Sequence, residues 1–264
     1  MAGTTIHTTA IIEDGAQLGT GVTIGPYCHV GSKVILGDAV SLKSHVVVDG
    51  NTEIGAGTSI APFASLGSAP QHLGYKGEDT KLVIGEGNNI REYVTMNPGT
   101  VAGRGQTVIG DNCLFMASTH VAHDCIVGNN VIMANNATLG GHVSIQDFVF
   151  MGGMSAVHQY CRVGIYAFVG AAALVTTDVI PYGSVIGNHA RLEGLNIVGM
   201  KRRNTPRPVI HRIRSAYRLL FAQEGTLQER IEDVSEMFSD SEEVSRIIQF
   251  IKAESSRPLC TPRT

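Results

Sequence analysis

The sequence predicts a mainly β fold, a parallel β-helix of hexapeptide repeats followed by a C-terminal α-helical segment. The first observation is a ladder of 26 apolar residues that recur every six positions, with two interruptions, between Ile6 and Val175. The second is that residues 1–199 contain 30 of the 31 glycines. The third is that residues 200–264 contain 21 of the 43 charged residues but a single glycine. We therefore expect two structurally different regions, with a boundary near residues 190–205.

The six-residue period differs from that of an amphipathic helix or strand, whose apolar residues recur at spacings of about 3.6 and 2. It suits a coil of three short strands, in which each ladder residue points inward and 18 residues complete one turn. Roughly ten coils at about 4.8 Å each give a prism about 50 Å long. Glycine follows the ladder residue at 13 of the 26 positions, and we expect it to allow the tight corner between strands. Repeats of this kind resemble those of left-handed β-helix proteins, an exception to the usual right-handed crossover.

The two interruptions of the ladder predict loops that leave the prism. In the first, the in-phase positions carry polar residues, among them His72, so we expect an external loop near residues 68–82. The second, near residues 99–106, shifts the repeat by one residue. Long excursions from so regular a scaffold are typical of functional segments. The predicted domains are a left-handed β-helix over residues 1–190 and a C-terminal helical domain over residues 191–264.

Three helices are expected in the C-terminal region. The first has apolar residues at helical spacing up to Phe221 and follows two prolines, which disfavour a helix further upstream. Thr226 with Glu229 forms a capping box, which predicts that the second helix begins there. Ser239 with Glu242 repeats this pattern and predicts the start of the third helix.

Composition excludes several classes of protein. The net charge of −3 gives no excess of basic residues, and no nucleic-acid-binding motif is present, so we expect no nucleic-acid partner. Five cysteines without a CxxC pair argue against a disulfide scaffold and for a reducing compartment. The N-terminus lacks the layout of a signal peptide, and the longest uncharged apolar run is too short to cross a bilayer. We expect a cytoplasmic protein without an integral membrane segment.

Four of the ten histidines fall near one edge of the predicted prism. Because residues 18 apart stack on successive coils, Val121, Leu139 and Val157 share a corner, and each of the four lies within three residues of one of them. They are His120, His123, His142 and His158. Such an edge supports general base catalysis, in which a neutral imidazole takes a proton from an attacking hydroxyl or amine. It also supports a zinc site of three imidazoles and a water.

Other residues near this edge could assist either chemistry. Asp124 adjoins His123 and could orient it, although adjacent residues of a strand point to opposite faces. The glycines expected at this edge are Gly140, Gly141, Gly152 and Gly153. They would let a substrate approach the backbone, where a free N–H could stabilise an oxyanion.

A basic run opens the C-terminal region. Seven of the 20 basic residues lie between Lys201 and Arg218, in a stretch without Asp or Glu. The run could be a solvated helix face, or it could bind a phosphate group or an acidic protein partner.

Taken together, these motifs resemble one family, the UDP-N-acetylglucosamine O-acyltransferases of lipid A synthesis. They are His120-Val-Ala-His123-Asp124-Cys125, Ala134-Asn-Asn-Ala-Thr-Leu-Gly-Gly-His142-Val143, Gly152-Gly-Met-Ser-Ala-Val-His158-Gln159, Gly187-Asn188-His189 and Lys201-Arg202-Arg203. A hexapeptide prism with a short helical tail is also the layout of this family. The resemblance implies a homotrimer whose active sites lie between neighbouring prisms. It implies transfer of an R-3-hydroxyacyl chain from acyl carrier protein to the 3-position of the UDP-sugar, the first step of lipid A synthesis, with no cofactor beyond the carrier's phosphopantetheine thioester.

The roles of individual residues follow from the resemblance. His123 would be the general base, Asp124 would assist it, and the N–H of Gly141 would face the developing oxyanion. Arg202 and Arg203 would contact phosphate groups. The other substrate contacts would come from Gln71, His72, His120, His142, His158, Gln159, Ala171, His189 and Asn196.

Departures from the family pattern lie among the expected acceptor contacts. Gln71-His72-Leu73-Gly74-Tyr75 stands where the family often has Gln-Asp-Leu-Lys-Tyr, and Asn97-Pro98-Gly99-Thr100 where it often has His-Arg-Gly-Thr. Asn196-Ile197-Val198-Gly199 replaces Asn-x-Glu-Gly. Some relatives acylate a 3-amino UDP-sugar and form an amide, which makes that sugar an alternative acceptor. Ala171 occupies the position that limits acyl length in the family, often a glycine, so we expect a medium-to-long 3-hydroxyacyl chain.

Three other interpretations remain open from sequence. One is a zinc enzyme that resembles the gamma carbonic anhydrases, with the metal on interfacial histidines. Another is a different hexapeptide acyltransferase, either the N-acyltransferase two steps later in lipid A synthesis or an acetyl-CoA enzyme. The N-acyltransferase usually has an extra N-terminal domain, for which the ladder leaves no room before Ile6. The third is a trimeric scaffold without catalytic activity.

Overall fold

A computed structural model describes residues 3–262 as successive short parallel strands followed along the chain by helices. The strands are β1 Thr5–Ile6, β2 Ile11–Ile12, β3 Gln17–Leu18, β4 Thr23–Ile24, β5 His29–Val30, β6 Ile35–Leu36, β7 Ser41–Leu42, β8 Val47–Val48, β9 Asn51–Ile54, β10 Ser59–Ile60, β11 Ser65–Leu66, β12 Lys81–Ile84, β13 Asn89–Ile90, β14 Thr95–Met96, β15 Gln106–Ile109, β16 Leu114–Phe115, β17 His120–Val121, β18 Ile126–Val127, β19 Ile132–Met133, β20 Thr138–Leu139, β21 Ser144–Ile145, β22 Phe150–Met151, β23 Ala156–Val157, β24 Arg162–Val163, β25 Phe168–Val169, β26 Leu174–Val175, β27 Gly183–Ile186 and β28 Arg191–Leu195. The helices are α1 Ile197–Arg202, α2 Arg207–Leu220, α3 Leu227–Met237 and α4 Glu242–Lys252. The predicted fold class, a mainly β left-handed parallel β-helix of hexapeptide repeats followed by a C-terminal α-helical segment, is confirmed.

Three sheets form the faces of the prism. The first has eleven strands and begins with β1 and β4, the second has nine and begins with β2 and β5, and the third has eight and begins with β3 and β6. Residues 18 apart pair across neighbouring coils, as Val121 does with Leu139 and Leu139 with Val157. Every ladder residue from Ile24 to Val175 is buried, so the interior is one continuous apolar core.

The corners of the prism are built differently from what the glycine pattern predicted. The residue in the left-handed region is the third after the ladder residue and is mostly not glycine, as at Tyr27 and Asp124, with φ of 58° and 61°. Of the thirteen glycines that follow a ladder residue, all within the described part of the chain, only Gly67 has a positive φ. At each of the others the next coil lies within 3.0 Å of where a Cβ would be; for Gly25 the nearest atom is the Lys43 carbonyl oxygen, at 2.6 Å. The expected role of these glycines was therefore wrong, because they allow coils to stack and do not make the turn.

Both interruptions of the ladder are loops at the same edge, between the second and third sheets. The first covers residues 67–80, between β11 and β12, and the second covers residues 97–105, between β14 and β15. Lys81, Leu82 and Gln106, which the ladder placed in loops, belong to β12 and β15 because these two strands pair with each other.

The C-terminal region is not entirely helical. β28 runs antiparallel to β27 and extends the first sheet. The short helix α1, which the sequence pattern did not predict, is capped by Asn196, whose side chain accepts a hydrogen bond from the N–H of Gly199. After α4 the chain returns to the prism, where the backbone of Asp178 bonds to that of Pro258 and Cys260. Sheet and tail are thus joined at two places.

The helix starts agree with the sequence at one point and differ at two. The first tail helix, expected after both prolines, begins at Arg207 and has Pro208 in its first turn, where the missing N–H of a proline costs no helical hydrogen bond. Thr226 and Glu229 form the predicted capping box at the start of α3. The prediction that Ser239 opens the third helix is wrong, because the turn after α3 takes up three residues and α4 begins after Ser241. The Ser241 side chain accepts a hydrogen bond from the N–H of Val244 and so caps the helix.

The helices of the tail have a small core of their own. Its buried residues include Ile213, Val234 and Ile247, one from each of α2, α3 and α4. Phe250 of α4 packs instead with the prism core, and the Arg162 guanidinium lies 4.5 Å from the centre of its ring. No helix among the described residues is long and apolar enough to cross a membrane.

Candidate active site

The edge between the second and third sheets carries the clustered histidines. After β17, β20 and β23 the chain turns toward the third sheet, so residues 18 apart stack along this edge. The turn residues form three columns, which are Ala122, Gly140 and His158; His123, Gly141 and Gln159; and Asp124, His142 and Tyr160. The expectation that Gly152 and Gly153 lie here is wrong, because they follow β22 of the first sheet and therefore lie at a different corner.

His123 and Asp124 form a buried pair. The Nδ1 atom of His123 lies 2.8 Å from Oδ2 of Asp124, whose side chain is fully buried. Adjacent residues of a strand point to opposite faces, but these two lie in a turn, and the φ of 61° at Asp124 lets its carboxylate meet the neighbouring imidazole. Because a carboxylate only accepts, Nδ1 of His123 donates, and Nε2 keeps the lone pair that a general base needs.

The second loop holds the Asp124 carboxylate in place. The N–H of Thr100 and its hydroxyl donate to it at 3.1 and 2.7 Å, and the N–H of Arg104 donates at 2.7 Å. Burial raises the pKa of Asp124, but hydrogen bonds from His123, Thr100 and Arg104 outweigh burial and place that pKa below its usual value. Motif reasoning missed Thr100 and Arg104 as site residues, although the one-residue shift of the ladder pointed to this loop.

Two further imidazoles pack on His123. The His142 ring is perpendicular to it, with ring centres 5.1 Å apart, and its Nε2 lies 3.8 Å from Oδ2 of Asp124. The His72 ring, from the first loop, lies 5.0 Å from the His123 ring. Tyr160 stacks on His142 with ring centres 4.4 Å apart. Burial lowers the pKa of His142 and the Asp124 charge only partly opposes this, so His142 is neutral near pH 7.

Gly141 lies directly against the imidazole of His123. A Cβ at this position would be 2.7 Å from both Cε1 and Nε2 of His123, closer than real carbon contacts allow. Within the described residues, the N–H of Gly141 makes no hydrogen bond to protein. The residue packed against the proposed base thus has a free backbone donor, which is the kind of group that stabilises an oxyanion.

His120 and His158 share this edge but have partners of their own. His120 Nδ1 is 2.7 Å from the Thr95 hydroxyl, and burial, reinforced by the neighbouring His123, lowers the pKa of His120. His158 Nδ1 lies 2.8 Å from Nη2 of Arg257, a residue that the sequence reasoning missed. No local sequence pattern predicts the contact between Arg257 and His158, because the two residues are 99 positions apart along the chain. His120 and His158 thus have hydrogen-bond partners other than the His123–Asp124 pair.

A second group of expected site residues lies over the first sheet. Arg202 and Arg203 border a cavity of about 710 Å³ whose apolar wall includes Phe150 and Phe168. The Arg203 guanidinium lies 4.3 Å from the centre of the Phe148 ring. The cavity therefore combines an apolar wall with positive charge at its rim.

The remaining expected contacts lie at three places: the first loop, the turns after two strands of the first sheet, and the rim of the cavity. Gln71 is exposed in the first loop, next to His72. Ala171 and His189 are exposed in turns that follow β25 and β27 of the first sheet. Asn196 borders the cavity, but its side chain is engaged as the cap of α1 and as a donor to the Tyr166 carbonyl at 2.9 Å. Within one chain, the histidine edge therefore lies between the second and third sheets, whereas the cavity lies over the first sheet.

One set of side chains could bind a metal ion. His123, Asp124 and His142 are the group of three potential ligands found in the described part of the chain. The Asp124 carboxylate already accepts hydrogen bonds from Thr100, Arg104 and His123. These bonds use the oxygen lone pairs that a metal ion would need. The arrangement therefore favours proton transfer at His123 over metal binding.

Comparison with known proteins decides the family. A family model described as Udp N-acetylglucosamine O-acyltransferase, Domain 2, matches residues 178–260, and one for the bacterial transferase hexapeptide (six repeats) matches residues 106–141. The acyl-[acyl-carrier-protein]–UDP-N-acetylglucosamine O-acyltransferase of Rhizobium johnstonii is 52% identical over 97% of this chain and 94% of its own length. The chain belongs to the UDP-N-acetylglucosamine O-acyltransferase family.

Other members of the UDP-N-acetylglucosamine O-acyltransferase family are similar over equally long stretches. The enzyme of the same name from Caulobacter vibrioides is 56% identical over 97% of this chain and 98% of its own. The solved UDP-N-acetylglucosamine acyltransferase from Campylobacter jejuni superposes with a TM-score of 0.92 at 38% identity, over 98% of this chain and 100% of the other. The similarity therefore includes both the prism and the helical tail.

Proposed function

We propose that this protein transfers an R-3-hydroxyacyl chain from acyl carrier protein to the 3-position of UDP-N-acetylglucosamine, the first step of lipid A biosynthesis. The observation that carries the proposal is the buried His123–Asp124 pair packed against Gly141, whose N–H makes no hydrogen bond within the described residues. The names of the relatives give the same donor and acceptor. The acyl group arrives as a thioester of the carrier's phosphopantetheine, so the proposed reaction uses no further cofactor.

The proposed mechanism uses His123 first as a base and then as an acid. Its Nε2 removes the proton of the sugar 3-hydroxyl while that oxygen attacks the thioester carbonyl carbon. Asp124 holds the Nδ1 proton and stabilises the imidazolium, and the N–H of Gly141 stabilises the oxyanion. The tetrahedral intermediate then collapses, the C–S bond breaks, and His123 returns the proton to the carrier thiolate.

The proposed enzyme is a homotrimer with its active sites between neighbouring prisms. His123 lies at the edge between the second and third sheets, whereas Arg202 and Arg203 lie over the first sheet. The histidines and the arginines are both expected to contact the same UDP-sugar and acyl chain. This requires the histidine edge of one copy to pack against the first sheet of a neighbouring copy. Sedimentation or light scattering of the purified protein tests this state, and a monomer at assay concentration would contradict it.

The basic run supports an acidic carrier protein as partner. Arg212 pairs with Asp240, whereas Arg207, Arg214 and Arg218 are exposed and have no carboxylate partner among the described residues. A cationic helix face of this kind favours association with an anionic protein. All five cysteines are buried free thiols, which supports the proposal of a reducing, cytoplasmic location.

His123→Ala tests the proposed function. We expect wild-type protein, incubated with a panel of 3-hydroxyacyl carrier proteins and the UDP-sugar, to give the O-acylated product by mass spectrometry. The variant should lose about 10³-fold in rate, because the proton acceptor is gone. It should still fold, since Thr100 and Arg104 keep the Asp124 charge hydrogen-bonded. Transfer at the wild-type rate by the variant would overturn the mechanism.

A 3-amino UDP-sugar is a second candidate acceptor, favoured by one observation. At position 72 the family often has Asp, whereas this chain has His72, whose ring centre lies 5.0 Å from that of His123. A carboxylate there would stabilise the unreactive ammonium form of an amino acceptor, whereas an imidazole does not. Equal amounts of enzyme assayed on both sugars test this, with His72→Asp expected to lower the ratio of amide to ester product. A strong preference of the wild type for the 3-hydroxyl sugar would refute the 3-amino sugar as acceptor.

A further inference from the structure

After α4 the chain passes close to the histidine edge. The N–H of Asp178 donates to the Pro258 carbonyl, and the N–H of Cys260 donates to the Asp178 carbonyl, both at 2.8 Å. Asp178 precedes Val179, which pairs with Val163 one coil back, and the Asp178 carboxylate accepts a hydrogen bond from the N–H of Arg162 at 2.8 Å. This anchorage brings Arg257 to the coil that carries His158.

Arg257 makes two directed contacts at that edge. Its Nη2 lies 2.8 Å from Nδ1 of His158, and its Nε donates to the Gln159 carbonyl at 2.9 Å. Nδ1 of His158 also lies 3.3 Å from the Gln159 carbonyl oxygen, but a proton on Nδ1 would collide with the guanidinium N–H at 2.8 Å. Because a guanidinium can only donate, Nδ1 of His158 accepts through its lone pair. The single ring proton of a neutral imidazole is then on Nε2. The bond to the Gln159 carbonyl fixes the plane of the guanidinium, which keeps the second donor aimed at His158.

His123 and His158 consequently hold opposite tautomers on one edge. Nδ1 of His123 faces a carboxylate oxygen of Asp124, which leaves Nε2 bare and able to take a proton. Nδ1 of His158 faces the guanidinium of Arg257, which leaves Nε2 protonated and able to donate a hydrogen bond. The nature of the partner at Nδ1, an acceptor or a donor, decides what each ring offers to a substrate.

We propose that Arg257 is a positioning residue for acyl transfer, which holds His158 as the neutral Nε2–H tautomer so that it donates to a substrate oxygen bound along this edge. The inference rests on the proposed function, because it needs a substrate there. Arg257 itself touches neither reacting atom, and its effect on the reaction passes through His158.

A double-mutant cycle tests this coupling. Arg257→Met should lower kcat/KM about tenfold when His158 is present, and less than about twofold when His158 is already Ala. Arg257→Lys, which keeps one donor but loses the planar fork, should fall between wild type and Arg257→Met. His158→Gln supplies a side-chain N–H that needs no tautomer, so Arg257→Met should also cost little in that background. Effects of Arg257→Met and His158→Ala that multiply would overturn the proposal.

Two measurements separate the inference from the proposed function. The ¹⁵N shifts of labelled histidine report which ring nitrogen carries the proton, and Arg257→Met should convert the His158 signal from a single tautomer to a mixture. An unchanged His158 signal would refute the inference, even if acyl transfer is confirmed. A wild type that acylates neither UDP-sugar would refute the proposed function, while the ¹⁵N result would still decide the tautomer.

Arg230→Met is the matched control. Arg230 also lies in the helical tail and also donates to backbone carbonyls, those of Leu220, Glu224 and Gly225. Its replacement should lower thermal stability but leave kcat/KM and the His158 signal as in wild type. A loss of activity equal to that of Arg257→Met would show that any weakening of the tail is sufficient, which would overturn the proposal.

Discussion

Gly141→Ala should disable the active site without unfolding the prism. A Cβ at this position would lie 2.7 Å from Cε1 and Nε2 of His123, about 1 Å inside an ordinary carbon contact. The atoms that it meets belong to a side chain, which can move, and Gly141 does not have a positive φ, so the backbone accepts alanine. The strain is relieved when the His123 ring swings away, and this breaks the 2.8 Å bond to Asp124.

The expected loss in rate follows from that displacement. A shift of about 1 Å in a reacting group costs about 10²-fold in rate. The ring also loses the partner that holds its tautomer, and the methyl group crowds the N–H that would stabilise the oxyanion. We therefore expect kcat/KM to fall by about 10²- to 10³-fold, with a change in thermal midpoint of a few degrees.

The assay is acyl transfer from 3-hydroxyacyl carrier protein, followed by mass spectrometry, with Gly153→Ala as the matched control. Gly153 has the same place in its hexapeptide as Gly141, but a Cβ there would make only a 3.4 Å contact with the Asn135 carbonyl oxygen. The control should keep wild-type activity to within about threefold. If Gly141→Ala also keeps activity to that degree, the position assigned to the base is incorrect.

Three further results are expected. Because the pKa of Asp124 is lowered in the folded protein, its charge stabilises the fold above about pH 4, and this contribution is lost as pH falls through the folded pKa. The free energy of unfolding in urea should therefore depend less on pH below about pH 4 for Asp124→Asn than for wild type. Ala171→Met should shift the chain-length profile of the donor toward shorter acyl groups, and an unchanged profile would remove Ala171 from that role. Ser241→Ala removes the cap of α4 and should lower the free energy of unfolding by about 1 kcal/mol with transfer unchanged, and a loss of transfer would tie α4 to the active site.

The sequence repeat alone determined the prism and those site residues that lie in its regular turns. A six-residue apolar period predicts a coil of 18 residues, in which residues 18 apart stack. His123 and Gly141 are 18 residues apart, so their contact follows from the repeat. The capping box at Thr226 is equally local and was also predictable. Periodicity even marked where the loops leave the coil, although it assigned Lys81 and Gln106 to them instead of to strands.

Only the tertiary structure decided which groups meet at the edge. The two loops break the period, so nothing in the repeat shows that Thr100 and Arg104 fold onto Asp124, or that His72 packs on His123. Arg257 reaches His158, 99 positions earlier in the chain, because the neighbouring Pro258 and Cys260 pair with the backbone of Asp178. A periodic pattern reports contacts at a fixed sequence separation, whereas the partners that hold the protons of this site come from segments at irregular separations, and folding alone brings them together.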